Sequence, residues 1–376
     1  MPFLSRRSFL GTALATASLR LPSSAAAGPT PVAPCSPPPT WIDVADFPIE
    51  GRAFAARKAP YDRLPLGAEA VVRSEVWDLS RHSAGMVVRF ATASPEIHVR
   101  YRLTSARIDL AHMPATGVSG VDLYGLDGAR WRWMQVSRPA GQVVEMQLVQ
   151  GLPTRAEPRS FQLYLPLYNG VDKLELGVGE GFDLLPLPRR STAGRSIVCY
   201  GTSILHGASA SRPGMAWPAI VGRTLDREVF NFGFAGNGRM EREVVQFLVE
   251  LDPEVFVVDC LPNMSTEQVA ERTEPLVRQL RLARKDTPIL LVEDRTFANA
   301  WCDETRAREH QRRRAALRAA VAAMVRDGVK GLHLLDGADL LGTDGEGTTD
   351  GSHPNDLGMM RQADKVLAAL QPLLPA

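Results

Sequence analysis

Residues 196–207 read S-I-V-C-Y-G-T-S-I-L-H-G, a short apolar run that ends abruptly in small, polar residues. Residues 197–200 suit a strand buried on both faces, the habit of parallel sheets. Gly201, Thr202 and Ser203 then fall on the turn leaving its carboxyl end, where open α/β sheets place their reacting groups. Ser203 is the candidate nucleophile. A plainer reading stands beside it, because a serine there also caps a helix or closes a turn.

Downstream, the apolar runs 229–232, 255–258, 289–292 and 332–335 alternate with helix-length segments, and 357–370 closes the chain. Ser265-Thr-Glu-Gln268 is a capping box that starts one of those helices. This alternation over 195–376 predicts a three-layer α/β/α domain with a parallel, flavodoxin-like sheet of five strands.

The loops after those strands hold the informative residues. After the second comes Gly233-Phe-Ala-Gly236-Asn-Gly238; after the third, Cys260-Leu-Pro-Asn263; after the fifth, Asp350-Gly-Ser-His353-Pro354. Singly, these read as a glycine turn, an Asn turn and a His beside a Pro. Together they supply what acyl transfer needs. His353 can take the proton of Ser203, and Asp350 can hold its tautomer. The N–H groups of Ser203 and Gly236, with the amide of Asn263, can form an oxyanion hole.

These four blocks resemble the SGNH (GDSL-type) hydrolase superfamily, with Ser203, Gly236, Asn263 and His353 in the family's order. The first block reads G-T-S-I where many members have G-D-S-L. The third reads Leu261-Pro262-Asn263-Met264 where many have G-x-N-D, so the sequence of that loop departs from the pattern while Asn263 itself is kept. Gly120-Val-Asp122-Leu-Tyr124 resembles the G-x-D-L-Y signature of an accessory domain ahead of certain bacterial esterases. By periodicity alone it is one more strand, with Asp122 and Tyr124 serving structure or substrate.

The first folded region, 41–187, is written in period two. Ile97, Val99, Tyr101 and Leu103 alternate with polar residues, as do Trp131 and Trp133, and Leu174, Leu176 and Val178. This predicts a β-sandwich of jelly-roll type. Asn169-Gly170 has the chemistry of a hairpin turn joining 161–168 to 171–178. The apolar stretch His112-Met-Pro-Ala-Thr116 is the candidate surface for meeting the catalytic face.

The chain has 376 residues, 45% hydrophobic and 23% charged, with a formal net charge of +1. That balance leaves no basic footprint for nucleic acid. Ser5-Arg-Arg-Ser-Phe-Leu10, an apolar stretch at 11–19 and Ala25-Ala26-Ala27 resemble a twin-arginine export signal over 1–27, too short and interrupted for stable membrane insertion. The proline-rich stretch 28–40 reads as a linker. Cys35, Cys199, Cys260 and Cys302 are too sparse for a disulfide framework or zinc site, and the core thiols are expected reduced. Neither P-loop nor H-E-x-x-H occurs, so no cofactor and no metal are expected. His206, His310 and His333 read as surface or structural, with His206 the one placed to touch substrate.

The resemblance implies a periplasmic or secreted serine esterase acting on an acylated small molecule or carbohydrate, with acetyl on a sugar as the expected ester. The alternatives are a lipase, thioesterase or acyltransferase of the same superfamily, or a non-catalytic carbohydrate-binding protein. No long apolar insertion suited to a lipase lid lies between the blocks.

Overall fold

The computed structural model describes residues 37–375 apart from 154 and 195; the leader at 1–27, most of the linker at 28–40 and Cys35 lie outside the described residues. The period-two stretches become β1 (Thr40–Asp43), β2 (Val87–Thr92), β3 (Ile97–Leu103), β4 (Asp122–Asp127), β5 (Arg130–Val136), β6 (Val143–Val149), β7 (Arg159–Tyr164), β8 (Val171–Val178) and β9 (Leu185–Pro186). They form two antiparallel sheets, ordered β1-β8-β3-β6 and β5-β4-β7-β2-β9. β3 shows why: Ile97, Val99, Tyr101 and Leu103 all turn inward. They meet Phe90, Leu123, Phe161 and Leu163 of the facing sheet in one core, so the region is a β-sandwich.

Two sequence expectations change here. Asn169-Gly170 does not close a hairpin, because β7 and β8 lie in different sheets and the dipeptide crosses between them. Neither residue has positive φ. Asn169 is buried instead, donating to Ser105 O and Ser119 Oγ and accepting from the Ser105 N–H. Gly170 is required by space, since a Cβ there would stand 2.6 Å from Arg81 O. In β5, an edge strand, alternation does not bury the indoles: Trp133 is 47% exposed. Its Nε1–H donates to Asp122 Oδ1 at 2.9 Å.

The second half forms β10 (Ser196–Gly201), β11 (Glu228–Gly233), β12 (Val255–Asp259), β13 (Ile289–Val292) and β14 (Leu332–Leu335), paired in parallel in the order β11-β10-β12-β13-β14. This is the flavodoxin-like arrangement, with β10 and β12 flanking the point where strand order reverses. Helices α1 (Ser74–Ser80) and α2 (Ala115–Val118) precede this sheet in the chain, and α3 (Ser203–His206), α4 (Trp217–Leu225), α5 (Arg242–Leu248), α6 (Thr266–Ala283), α7 (Glu304–Arg326) and α8 (Asp356–Leu370) follow its first strand. The expected capping box at Ser265 and Gln268 is formed at the start of α6.

Strand β10 is buried throughout, and its side chains sort to opposite faces. Val198 and Tyr200 pack with Val244 of α5, Leu276 of α6 and Leu317 of α7. Ile197 and Cys199 pack with Trp217 and Val221 of α4 and Met359 and Val366 of α8. The continuous apolar run follows from this two-sided burial. Phe54, Leu64, Ala68, Val72, Val76 and Trp77, from between β1 and β2, join the first of these clusters beside Phe230 and Phe232. From Pro38 onward the chain forms one compact unit.

Candidate active site

Gly201 ends β10 where a Cβ would lie 2.6 Å from Asp259 O of β12, so the chain must be narrow there. Thr202 caps α3, its hydroxyl accepting from the Ile204 N–H. Ser203 is the first residue of that one-turn helix, which Gly207 ends at φ +111°. Both readings of the sequence meet here: the capping is done by Thr202, which leaves Ser203 free to face the sheet edge.

Ser203 Oγ lies 2.8 Å from His353 Nε2, and His353 Nδ1 lies 2.7 Å from Asp350 Oδ2. Asp350 Oδ1 also accepts the N–H groups of Ser352 and His353 at 3.0 and 2.8 Å. Burial raises the Asp350 carboxyl, but the hydrogen bonds from the His353 ring and these backbone groups outweigh it and bring the pKa down to about 2. An ionised carboxylate at Nδ1 assigns the proton to that nitrogen and leaves Nε2 to accept from the serine hydroxyl. The loop is braced by Thr349 N–H to His353 O and by Ala298 N–H to Gly351 O, both 2.9 Å.

Gly236 is exposed in the turn after β11, at φ +70°. Asn263 ends a short helical turn after β12. Gly238 joins the two loops. Its N–H donates to Asn263 Oδ1 at 3.3 Å, turning the amide so that its NH₂ is not spent on this contact. A Cβ on Gly238 would lie 2.0 Å from Gly201 O, so the turn rests on the end of β10. The second glycine of G-x-G was the available signal for this role, and the sequence reading did not use it.

His206 is fully buried, so it does not touch substrate. Its ring stacks on Tyr168 at 4.2 Å and lies 5.4 Å from His82. Burial first, then the charge of Arg63 and the neighbouring His82, hold it well below the ordinary imidazole value. Tyr168 also donates from its hydroxyl to Ser203 O at 3.2 Å. Arg63 is buried and donates to Asn231 O, Gly233 O, His82 O and Leu79 O. His310 is buried against Phe297, and His333 is half-buried on β14. Among the described residues no group of three His, Cys, Asp or Glu side chains could hold a metal ion. None of the described helices is long and apolar enough to cross a membrane, and Cys199, Cys260 and Cys302 are free.

The profile of the GDSL-like lipase/acylhydrolase family matches residues 194–371, and that of the GxDLY N-terminal domain of SGNH-hydrolase-type esterases matches 39–184. The crystal structure of a GDSL-like lipase from Bacteroides ovatus is 32% identical, covers 89% of this chain and 97% of that one, and superposes with a TM-score of 0.84. The chain belongs to this family. It is an SGNH-type carboxylic ester hydrolase with a GxDLY domain, as the four blocks and the motif at 120–124 implied. Two more distant structures share the fold. The salicylyl-acyltransferase SsfX3 of a tetracycline biosynthetic pathway is 17% identical, with a TM-score of 0.68 over 89% of this chain and 97% of that one. A family two carbohydrate esterase from Cellvibrio japonicus is 12% identical, with a TM-score of 0.55 over the same shares. No curated protein matches the chain.

In this esterase the GxDLY motif grips the segment that follows α3. Asp122 is buried at the start of β4, where Oδ2 accepts from Arg212 Nη1 and the Gly214 N–H, both 2.8 Å. Tyr124 OH accepts from the same Arg212 nitrogen at 2.5 Å. Thr116 Oγ1 donates to Ser211 O at 2.7 Å, and Ser211 donates from N–H and Oγ to Asp356, the first residue of α8. The segments that follow Ser203 and His353 are thus tied directly to one another through Ser211 and Asp356, and the sandwich holds the first of them through Asp122 and Thr116. The stretch 112–116 meets the catalytic region, as its apolar character suggested. Arg212 and Asp356 were not singled out, because nothing local marks a salt bridge across 90 residues.

Proposed function

We propose that this esterase removes short acyl groups, acetyl first among them, from a hydroxylated carbohydrate, with Ser203 as nucleophile, His353 as general base and Asp350 as the group that orients it. The observation that carries the reading is the unbroken line Ser203 Oγ, His353 Nε2, His353 Nδ1, Asp350 Oδ2 with contacts of 2.8 and 2.7 Å. Attack of Ser203 Oγ on the ester carbonyl passes its proton to Nε2; the imidazolium then returns it to the leaving alcohol, and water repeats the cycle on the acyl enzyme. Ser203 and Gly236 N–H groups and the Asn263 amide serve the oxyanion.

The carbohydrate part rests on two supports. Carbohydrate esterases share the fold, and the loop bonded to Gly351 presents Trp301, 88% exposed, as an aromatic face on which a sugar ring can stack. The export-type leader is consistent with a polymer substrate outside the cytoplasm. The test is turnover of p-nitrophenyl esters from acetate to decanoate beside acetylated xylan, with acetate release measured with and without added acceptor alcohols. Release of acetate from xylan and a steep fall beyond butyrate are expected. A decanoate optimum, or acyl product appearing only on the acceptor, would replace this reading with a lipase or an acyltransferase.

A further inference from the structure

A ring stacked on the catalytic imidazole comes from the other domain. His112 stands at the third position of a tight turn over 110–113, closed by Leu110 N–H to Met113 O at 3.1 Å and Met113 N–H to Leu110 O at 3.0 Å. Met113 is buried in the cluster that holds Ile204 and Leu205 of α3, with Leu110 packed against it. Three residues on, Thr116 is fastened to Ser211 O. The turn is therefore anchored to the hydrolase domain at its base, while the His112 side chain at its tip is exposed.

That imidazole lies 5.7 Å from the His353 ring, centroid to centroid, at an interplanar angle of 27°. Partial burial first, then His353 and Arg107, lower its pKa against the opposing pull of Asp350. A neutral imidazole offers one donor and one acceptor, and among the described residues no protein group is hydrogen-bonded to either nitrogen. An anchored turn thus presents an unpaired polar ring beside the group that returns the proton.

We infer that His112 is a specificity-determining residue supplied by the GxDLY domain, binding a hydroxyl on the alcohol half of the ester. This rests on the reading of Ser203 and His353 given above. The leaving oxygen must reach His353 Nε2 to collect its proton. The atoms beyond that oxygen then extend beside the imidazole, where His112 waits. A ring with one donor and one acceptor complements a hydroxyl adjacent to the ester, the pattern of a sugar acylated on one of two neighbouring ring hydroxyls and one that a simple alkyl or aryl ester lacks.

The matched pair 2-hydroxyethyl acetate and ethyl acetate differs by that hydroxyl alone, and p-nitrophenyl acetate reports on acyl chemistry with a leaving group that needs no proton. With the full chain, kcat/KM is expected to favour the hydroxylated ester. His112→Ala should shrink that preference at least about tenfold, a lost hydrogen bond in a formed site being large for discrimination, and should lower turnover of p-nitrophenyl acetate by a smaller factor. His112→Gln, which keeps a donor and an acceptor, should restore part of the preference. An equal change on all three esters, no change, or no preference in the unmodified enzyme would overturn the assignment. Ser203→Ala run beside them separates the two ideas, since surviving turnover there would remove the nucleophile reading itself.

Discussion

The two sheets of the sandwich and the one sheet of the hydrolase domain meet the active site in different ways. In the parallel sheet every strand points the same way, so the loops after β10, β11, β12 and β14 collect at one edge and can carry Ser203, Gly236, Asn263 and the Asp350 to His353 loop without long excursions. An antiparallel sandwich has no such shared edge. It contributes instead what long-range packing can provide: Asp122 on Arg212, Thr116 on Ser211, Tyr168 on Ser203 O and His112 on His353. One region gathers the proposed catalytic groups by topology, and the other holds their backbone in place by contact.

The largest expected effect lies wholly on the hydrolase side. Ser203→Ala should cost at least about 10⁴ in kcat, since an oriented base without its nucleophile retains only the oxyanion and binding contributions. Circular dichroism and the melting temperature should stay unchanged. Appreciable turnover by a folded variant would take Ser203 out of the reaction.

The next cuts the link between the regions. Asp122→Ala leaves Arg212, the Gly214 N–H and the Trp133 indole N–H without their acceptor, and breaking a mostly buried pair costs about 3 kcal/mol. Urea unfolding followed by both fluorescence and p-nitrophenyl acetate turnover should show one shifted transition for the whole chain. Two separate transitions, or an unshifted one, would mean the domains do not depend on this contact.

The smallest is a pH effect on stability seated between the regions. Unfolded imidazoles protonate at about pH 6.5. In the folded chain His206 is held well below that, and His82 is pushed down to about 3 by burial and by Arg63. The unfolded state therefore binds more protons below pH 6.5, and stability present at pH 7 is lost as the pH falls, by up to about 1.4 kcal/mol per unit for each ring. His206→Phe should make the urea midpoint less sensitive between pH 7 and 5. An unaltered slope would show that His206 does not stay neutral in the fold.

Much of the hydrolase domain was legible because two-sided burial writes an uninterrupted apolar run, and because chemistry in this fold follows strand ends. The capping box of α6 and the inward row of β3 were equally local, and equally readable. What escaped depends on partners far apart in sequence. Asn169-Gly170 carries turn chemistry, but no dipeptide says which sheet the next strand joins. His206 looked available from its place beside Ser203, and its burial involves Tyr168 and His82, which lie far earlier in the chain. Arg63 bonds to Gly233 O across 170 residues, so no window of sequence contains both.

The strip from Phe54 to Trp77 has a further consequence, for synthesis rather than for catalysis. It covers Phe230 and Phe232, with Phe54 tilted against Phe232 at a ring separation of 6.2 Å. A growing chain exposes that strip on the ribosome long before β11 exists to receive it. Until then these apolar side chains are open to water, to proteases and to chaperones. The sandwich can close around its own core early, while the strip between β1 and β2 stays unpartnered until the sheet it covers has been translated.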